Sequence, residues 1–177
     1  MAHRSGLTPE QVEDYLYHTY TRVDGLWFVL VEERYGFEAA LALDEAVWKV
    51  IPKIQARQLR KQLNLTLDPA GLNRALAAKL SLDRYEFDLH STPAGIDITL
   101  STCPWHDLIV RSGRGHLAER IGGVICGVEF SAFAREFGCS CSPPPGQRLC
   151  RDGAACRFHF APLPQAGRTA PEPTFSA

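Results

Sequence analysis

The sequence predicts an α+β domain: an N-terminal helical layer packed on a small, mostly antiparallel sheet, with further helices. Three observations predict it. Apolar residues recur at helical spacing through the first eighty or so positions. The pattern switches to a period of two at Tyr85, around a Pro/Gly turn. After Cys103 helical spacing returns, before the chain reaches a Pro/Gly-rich segment flanked by short strand patterns. Helices first and an antiparallel sheet later is the order of an α+β fold.

"LTPEQVEDYL" opens the first helix. Thr8 suits the N-cap, Pro9 the first helical position, and Gln11 completes a capping box. Val12, Tyr15, Leu16, Val23, Trp27, Leu30 and Val31 recur at helical spacing, and Gly36 is the natural stop. Asp24-Gly25 is expected to kink or divide this helix; Asp24 either caps its second half, the favoured reading, or reaches a pocket beneath the sheet. A second helix is expected from about Phe37 to Leu63, bent at Pro52, with a stripe of Phe37, Ala40, Leu41, Trp48 and Ile51. Asp68-Pro69 opens a shorter third helix.

"YEFDLHSTPAGIDITLST" reads as a hairpin in which Phe87 and Leu89 meet Ile96, Ile98 and Leu100 on the buried face. "PWHDLIVRSG" reads as a short helix and "GHLAERIGGVICGVEFSAFAREFG" as one or two more. "CSCSPPPGQRLCRDGAACRFHFAPL" then holds two short strands, the last near Ala155 to Phe160. One domain over residues 1–161 is expected, with a disordered Pro/Ala/Thr-rich tail over 162–177.

Composition narrows the function. The net charge is −1 with acids and bases interspersed, so no concentrated basic face invites nucleic acid. The one basic cluster, "ARQLRKQ", falls near a helix end, where it complements the dipole. The first residues lack the apolar stretch of a secretory signal, and the longest apolar run, Gly25 to Val31, is too short to cross a bilayer. A soluble cytoplasmic protein is expected. In that compartment six cysteines point to metal or redox chemistry, and all six fall between Cys103 and Cys156.

Cys103 sits at a strand-to-helix switch before Pro104. A helix N-terminus there is expected to lower its thiol pKa, which suits a ligand or a nucleophile, against the alternative of a buried thiol beside Trp105. His106 follows within one turn. Cys126 and Glu129 are spaced i, i+3 on one helix face, with Gly127 leaving room for a neighbouring element. A glutamate in so apolar a stretch needs a partner, a cation or a proton to carry, unless it lies at the surface. Cys156, Phe158 and Phe160 share the inner face of the last strand, and Cys150 lies across an Asp-Gly turn from them. Cys139 and Cys141 rank below these four. No C-x-x-C pair, dinucleotide fingerprint, P-loop or nucleophile elbow is present, so a metal site has to be assembled by the fold.

Four stretches carry a resemblance: "VDGLWFVLVEERYGFEAALALDEAVWKVIPKIQARQLRK", "CPWHDL", "ICGVEFSAFAREFG" and "LCRDGAACRFHF". From about Leu7 to Phe160 the chain resembles the group related to L-2-amino-thiazoline-4-carboxylic acid hydrolase, in its DUF6125-type branch. D-G-x-W-F and the late C-R-F-x-F are the most specific features. The cysteine placement is more distantly similar to that of vinyl-reductase-type small-molecule-binding domains, which are α+β ligand binders. The resemblance implies hydrolytic opening of a thiazoline ring, with cysteines at Cys103, Cys126 and Cys156 where such proteins place them.

Three functions follow as expectations. The first is a cysteine-built centre within a small-molecule pocket, holding a metal ion or iron–sulfur cluster on Cys103, Cys126, Cys150 and Cys156, with Glu129 and His106 nearby. The second is a hydrolase using Cys103 as nucleophile and His106 or Glu129 as general base. The third is a non-catalytic sensor or carrier, binding an apolar ligand among Trp27, Trp48, Trp105 and the phenylalanines. Trp27 and Trp105 are the candidate aromatic contacts to a bound group. Homodimerisation is left open.

Overall fold

Thr8 begins the first helix as its sequence requires: its hydroxyl accepts the Gln11 N–H at 3.2 Å while the Gln11 side chain accepts the Thr8 N–H at 2.9 Å. The structure is a computed structural model and describes residues 5–142, 148–151 and 153–164. The expected tail over 162–177 lies mostly outside these residues, and its first position, Pro162, still belongs to a strand.

The helix α1 (Pro9–Tyr35) runs unbroken through Asp24-Gly25 and stops at Gly36, whose φ of 86° suits glycine. The expected division does not occur. Phe28 and Val31 are buried against the helical layer, and that burial outweighs the roughly 1 kcal/mol an internal glycine costs. The phase of the helix also corrects the sequence reading. Tyr17, Thr21, Asp24, Phe28 and Val31 turn inward, whereas Leu16, Val23, Trp27 and Leu30 are exposed.

The expected second helix is two. α2 (Phe37–Trp48) and α3 (Ile51–Leu63) are separated at Lys49-Val50. Pro52 therefore sits in the first turn of α3, where its missing N–H breaks no helical bond. α4 (Pro69–Leu82) is capped by Asp68, which accepts the Gly71 N–H at 2.8 Å. A Cβ at Gly71 would lie 2.0 Å from the Thr66 carbonyl oxygen, so this close turn needs glycine.

Strands β1 (Phe87–Thr92), β2 (Gly95–Leu100), β3 (Cys139–Ser142) and β4 (Cys156–Pro162) form one antiparallel sheet in the order β1-β2-β4-β3. The hairpin register matches the sequence pattern, pairing Phe87 with Leu100 and Leu89 with Ile98. Between β2 and β3 come α5 (Pro104–Arg111) and α6 (Ala118–Arg135). Ile96, Ile98, Leu100, Phe158 and Phe160 form the buried sheet face, against Phe130 and Phe133 of α6 and Leu72, Leu76 and Leu80 of α4. A second core joins α1 and α2 to α6 through Phe28, Val31, Leu41, Trp48 and Ile125. Trp105 packs against both cores, edge-on to Trp48 at 5.6 Å and to Tyr20 at 5.8 Å. Helices on one sheet face make the architecture α+β.

Candidate functional site

Register brings the first two thiols together. Cys156 opens β4 opposite Leu100, the last residue of β2, and Cys103 follows three residues later at the head of α5. Both therefore lie at one end of the sheet. Phe130 of α6 stacks on Phe158 of β4 with ring centroids 4.4 Å apart, so Cys126, one turn earlier, is carried over the same end. Cys150, in the 3-10 turn Leu149–Arg151, completes the group: the neighbouring Leu149 N–H donates to Cys156 Sγ at 3.3 Å. The four thiols singled out in the sequence thus come from four separate elements. Cys126 feels the charge of each of the other three.

Gly122 of α6 lies beside two of these thiols. A Cβ there would lie 3.2 Å from Cys150 Sγ and 3.7 Å from Cys126 Sγ. Gly127, the glycine expected to admit a neighbour, faces open space instead. As the side chains stand, the described residues contain no group of three or more His, Cys, Asp or Glu side chains arranged to hold a metal ion.

Cys103 is the N-cap of α5, its sulfur accepting the His106 backbone N–H at 3.5 Å and a hydrogen bond from Tyr85. The expected lowering of its pKa is overturned. Burial pushes the thiol up to about 11, against the smaller help of these two donors. Burial likewise raises Cys126, Cys150 and Cys156. The His106 ring lies 3.6 Å from Asp107, and the His106 bond to Cys103 runs through the backbone. Cys139 and Cys141 lie on β3; Cys139 is buried, and burial raises Cys141 to about 12. Trp27 leaves the site altogether: it is 62% exposed on the outer side of α1.

Glu129, one turn beyond Cys126, is buried and paired with a lysine. Its Oε1 lies 2.7 Å from Lys79 Nζ, too bent for a hydrogen bond, and Lys79 also binds Asp83 at 2.5 Å. Burial raises Glu129 while Lys79 opposes it. Burial would lower Lys79, but the charges of Glu129 and Asp83 win and raise it. A cleft of about 120 Å³ opens beside this pair, lined by Gln55, Leu59, Leu82 and Asp83.

Two carboxyls extend the polar interior toward α1 and α2. Burial, with the Glu129 charge, lifts Asp24 to about 6. Burial, with the Asp24 charge, lifts Asp44 to about 7, opposed by a hydrogen bond from Trp48. Asp24 is thus an inward-facing acid and not a cap. Asp44 and Lys79 were not singled out in the sequence, though Lys79 had a signal: it occupies the same helix face as Leu72, Ala75, Leu76 and Leu80.

Residues 9–138 match a family described as a family of unknown function (DUF6125). The chain belongs to this family. The DUF6125 region contains α1 to α6 and the first hairpin, with Cys103, Cys126, Glu129 and Lys79, whereas Cys150 and Cys156 lie beyond it. No curated protein matches the chain, and no solved structure does.

Proposed function

We propose that this DUF6125 protein binds a thiophilic metal centre, a metal ion or an iron–sulfur cluster, on Cys103, Cys126, Cys150 and Cys156. The gathering of four thiols from four elements at one end of the sheet, two of them at the Gly122 notch, supports this reading. Soft thiolates select zinc, copper(I) or iron–sulfur centres over hard cations. The N–H groups of His106 and Leu149 already point at Cys103 and Cys156, and such donors stabilise ligating sulfur. Buried thiols stay neutral until a cation displaces their protons, so the raised pKa values are what a metal-free thiol site carries. The test is elemental and sulfide analysis with an absorption spectrum on protein purified anaerobically without a polyhistidine tag. Stoichiometric metal lost in Cys126→Ser and Cys156→Ser supports the proposal; metal-free, folded protein that takes up neither zinc nor iron with sulfide defeats it.

A second reading is favoured by Asp24 and Asp44. Carboxyls tuned near neutrality suit general acid–base work, which fits a hydrolase acting on a thiazoline-type C–N bond. In that reading a carboxylate, and not the Cys103–His106 pair, activates the attacking water. Turnover of 2-amino-thiazoline-4-carboxylate that falls at least tenfold in Asp44→Asn supports it; no turnover by metal-free or metal-loaded protein removes it.

A further inference from the structure

A second cleft, of about 380 Å³, opens where the turn from α1 to α2 meets the start of α6. Its volume falls within the roughly 300–1,000 Å³ of small-molecule sites. Glu32 of α1, Phe37 of α2, Arg114, His116 and Leu117 of the link into α6, and Arg120 of α6 form its wall. Among these described residues, two guanidinium groups and an imidazole stand against one carboxylate. We propose that this cleft binds a small organic oxyanion, a carboxylate or phosphate monoester on a short apolar body, clamped between Arg114 and Arg120.

Arg114 is the fixed half of the clamp. Its backbone N–H donates to the Ile109 carbonyl at 3.1 Å, and its carbonyl accepts the Leu117 N–H at 2.8 Å. Its guanidinium meets Glu32 through Nη2 alone, and a guanidinium carries five N–H donors, so donors remain for a ligand. Arg120 is the adjustable half. Its guanidinium lies 4.8 Å above the Phe37 ring, which is itself held edge-on to Phe28 at 5.9 Å. It also pairs with Glu38, but these side chains are 57% and 71% exposed. Exposed pairs of this kind are weak in water, so an incoming oxyanion displaces Glu38 without stranding a buried charge.

The wall chooses the ligand's charge. Guanidinium groups bind the paired oxygens of carboxylates and phosphates through parallel N–H bonds. A cation is repelled by both arginines, and a neutral molecule leaves their charge uncompensated. Phe37 and Leu117 supply the apolar contact for the body of the ligand. Because the backbone of Arg114 and the ring of Phe37 are already held, little ordering is left to oppose binding.

Calorimetric titration of the full chain at low salt tests this, with phenyl phosphate and benzoate as probes and benzyl alcohol as the neutral control. Saturable binding of at least one oxyanion is expected below about 10 mM, with none of benzyl alcohol. Phenyl phosphate alone assigns the cleft to phosphate monoesters, and benzoate alone to carboxylates. Arg120→Gln is expected to weaken binding at least tenfold while helix content and melting temperature are retained. Glu38→Gln is expected to tighten it at least threefold, because the competing carboxylate is gone. No saturable oxyanion binding overturns the inference, as does binding indifferent to Arg120→Gln or matched by benzyl alcohol. Binding that Glu38→Gln leaves unchanged or weakens overturns the exchange at Arg120.

Discussion

Lys79 Nζ sits 2.7 Å from Glu129 Oε1 in the interior, joining α4 to α6 through one buried ion pair. Both side chains are almost fully enclosed, so neither charge is repaid by water. Removing one partner strands the other. Lys79→Met is expected to cost about 3–5 kcal/mol in urea unfolding, and adding Glu129→Leu to recover much of that loss. If the double variant is as unstable as the single one, the pair does more than neutralise itself.

Asp24 and Asp44 set the pH response of the interior. Both pKa values are raised on folding, so the folded state holds protons that the unfolded chain releases near pH 4. Stability therefore falls as pH rises toward about 7, where the Asp44 carboxyl ionises. Asp44→Asn keeps an acceptor for Trp48 and removes the charge. It is expected to stabilise the protein at pH 8 by on the order of 1–3 kcal/mol and to change little below pH 4. Denaturation curves at the two values decide the sign.

Gly122 separates metal binding from folding. Gly122→Ala puts a methyl group 3.2 Å from Cys150 Sγ, in the notch between two of the proposed ligands. Helix propensity offers up to about 1 kcal/mol in return, so the metal-free variant keeps its stability to within about that amount. Its affinity for zinc in a competition titration is expected to fall at least tenfold.

Metal uptake is expected to be steeply pH-dependent. Burial raises the pKa of all four proposed ligands, so each must surrender a proton on binding. Affinity therefore rises with pH through the neutral range, and unbuffered protein releases several protons per metal bound. Calorimetry in buffers of different ionisation enthalpy counts them.

The element types, the capping of α1 and α4 and the hairpin register were legible because each rests on local chemistry: Thr8 with Gln11, Asp68 with Pro69, and alternation around Pro93-Ala94. The convergence of Cys103, Cys126 and Cys156 was legible in part, because Phe158 and Phe160 marked the inner face of β4. The rest depended on phase and distant packing. Asp24 reads as a cap beside Gly25, but its burial comes from α2 and α6, which no local window contains. Trp27 and Phe28 are neighbours in sequence, and apolar residues on both sides of α1 left two stripes to choose between. The cap effect on Cys103 was outweighed by desolvation, a quantity set by the whole core.

The order β1-β2-β4-β3 has a consequence for synthesis. β4 leaves the ribosome after every other strand, yet it inserts between β2 and β3. Until then the nascent β2 exposes an unpaired edge and the apolar side chains of Ile96, Ile98 and Leu100, the kind of surface on which folding intermediates aggregate. The same late strand delivers Cys156.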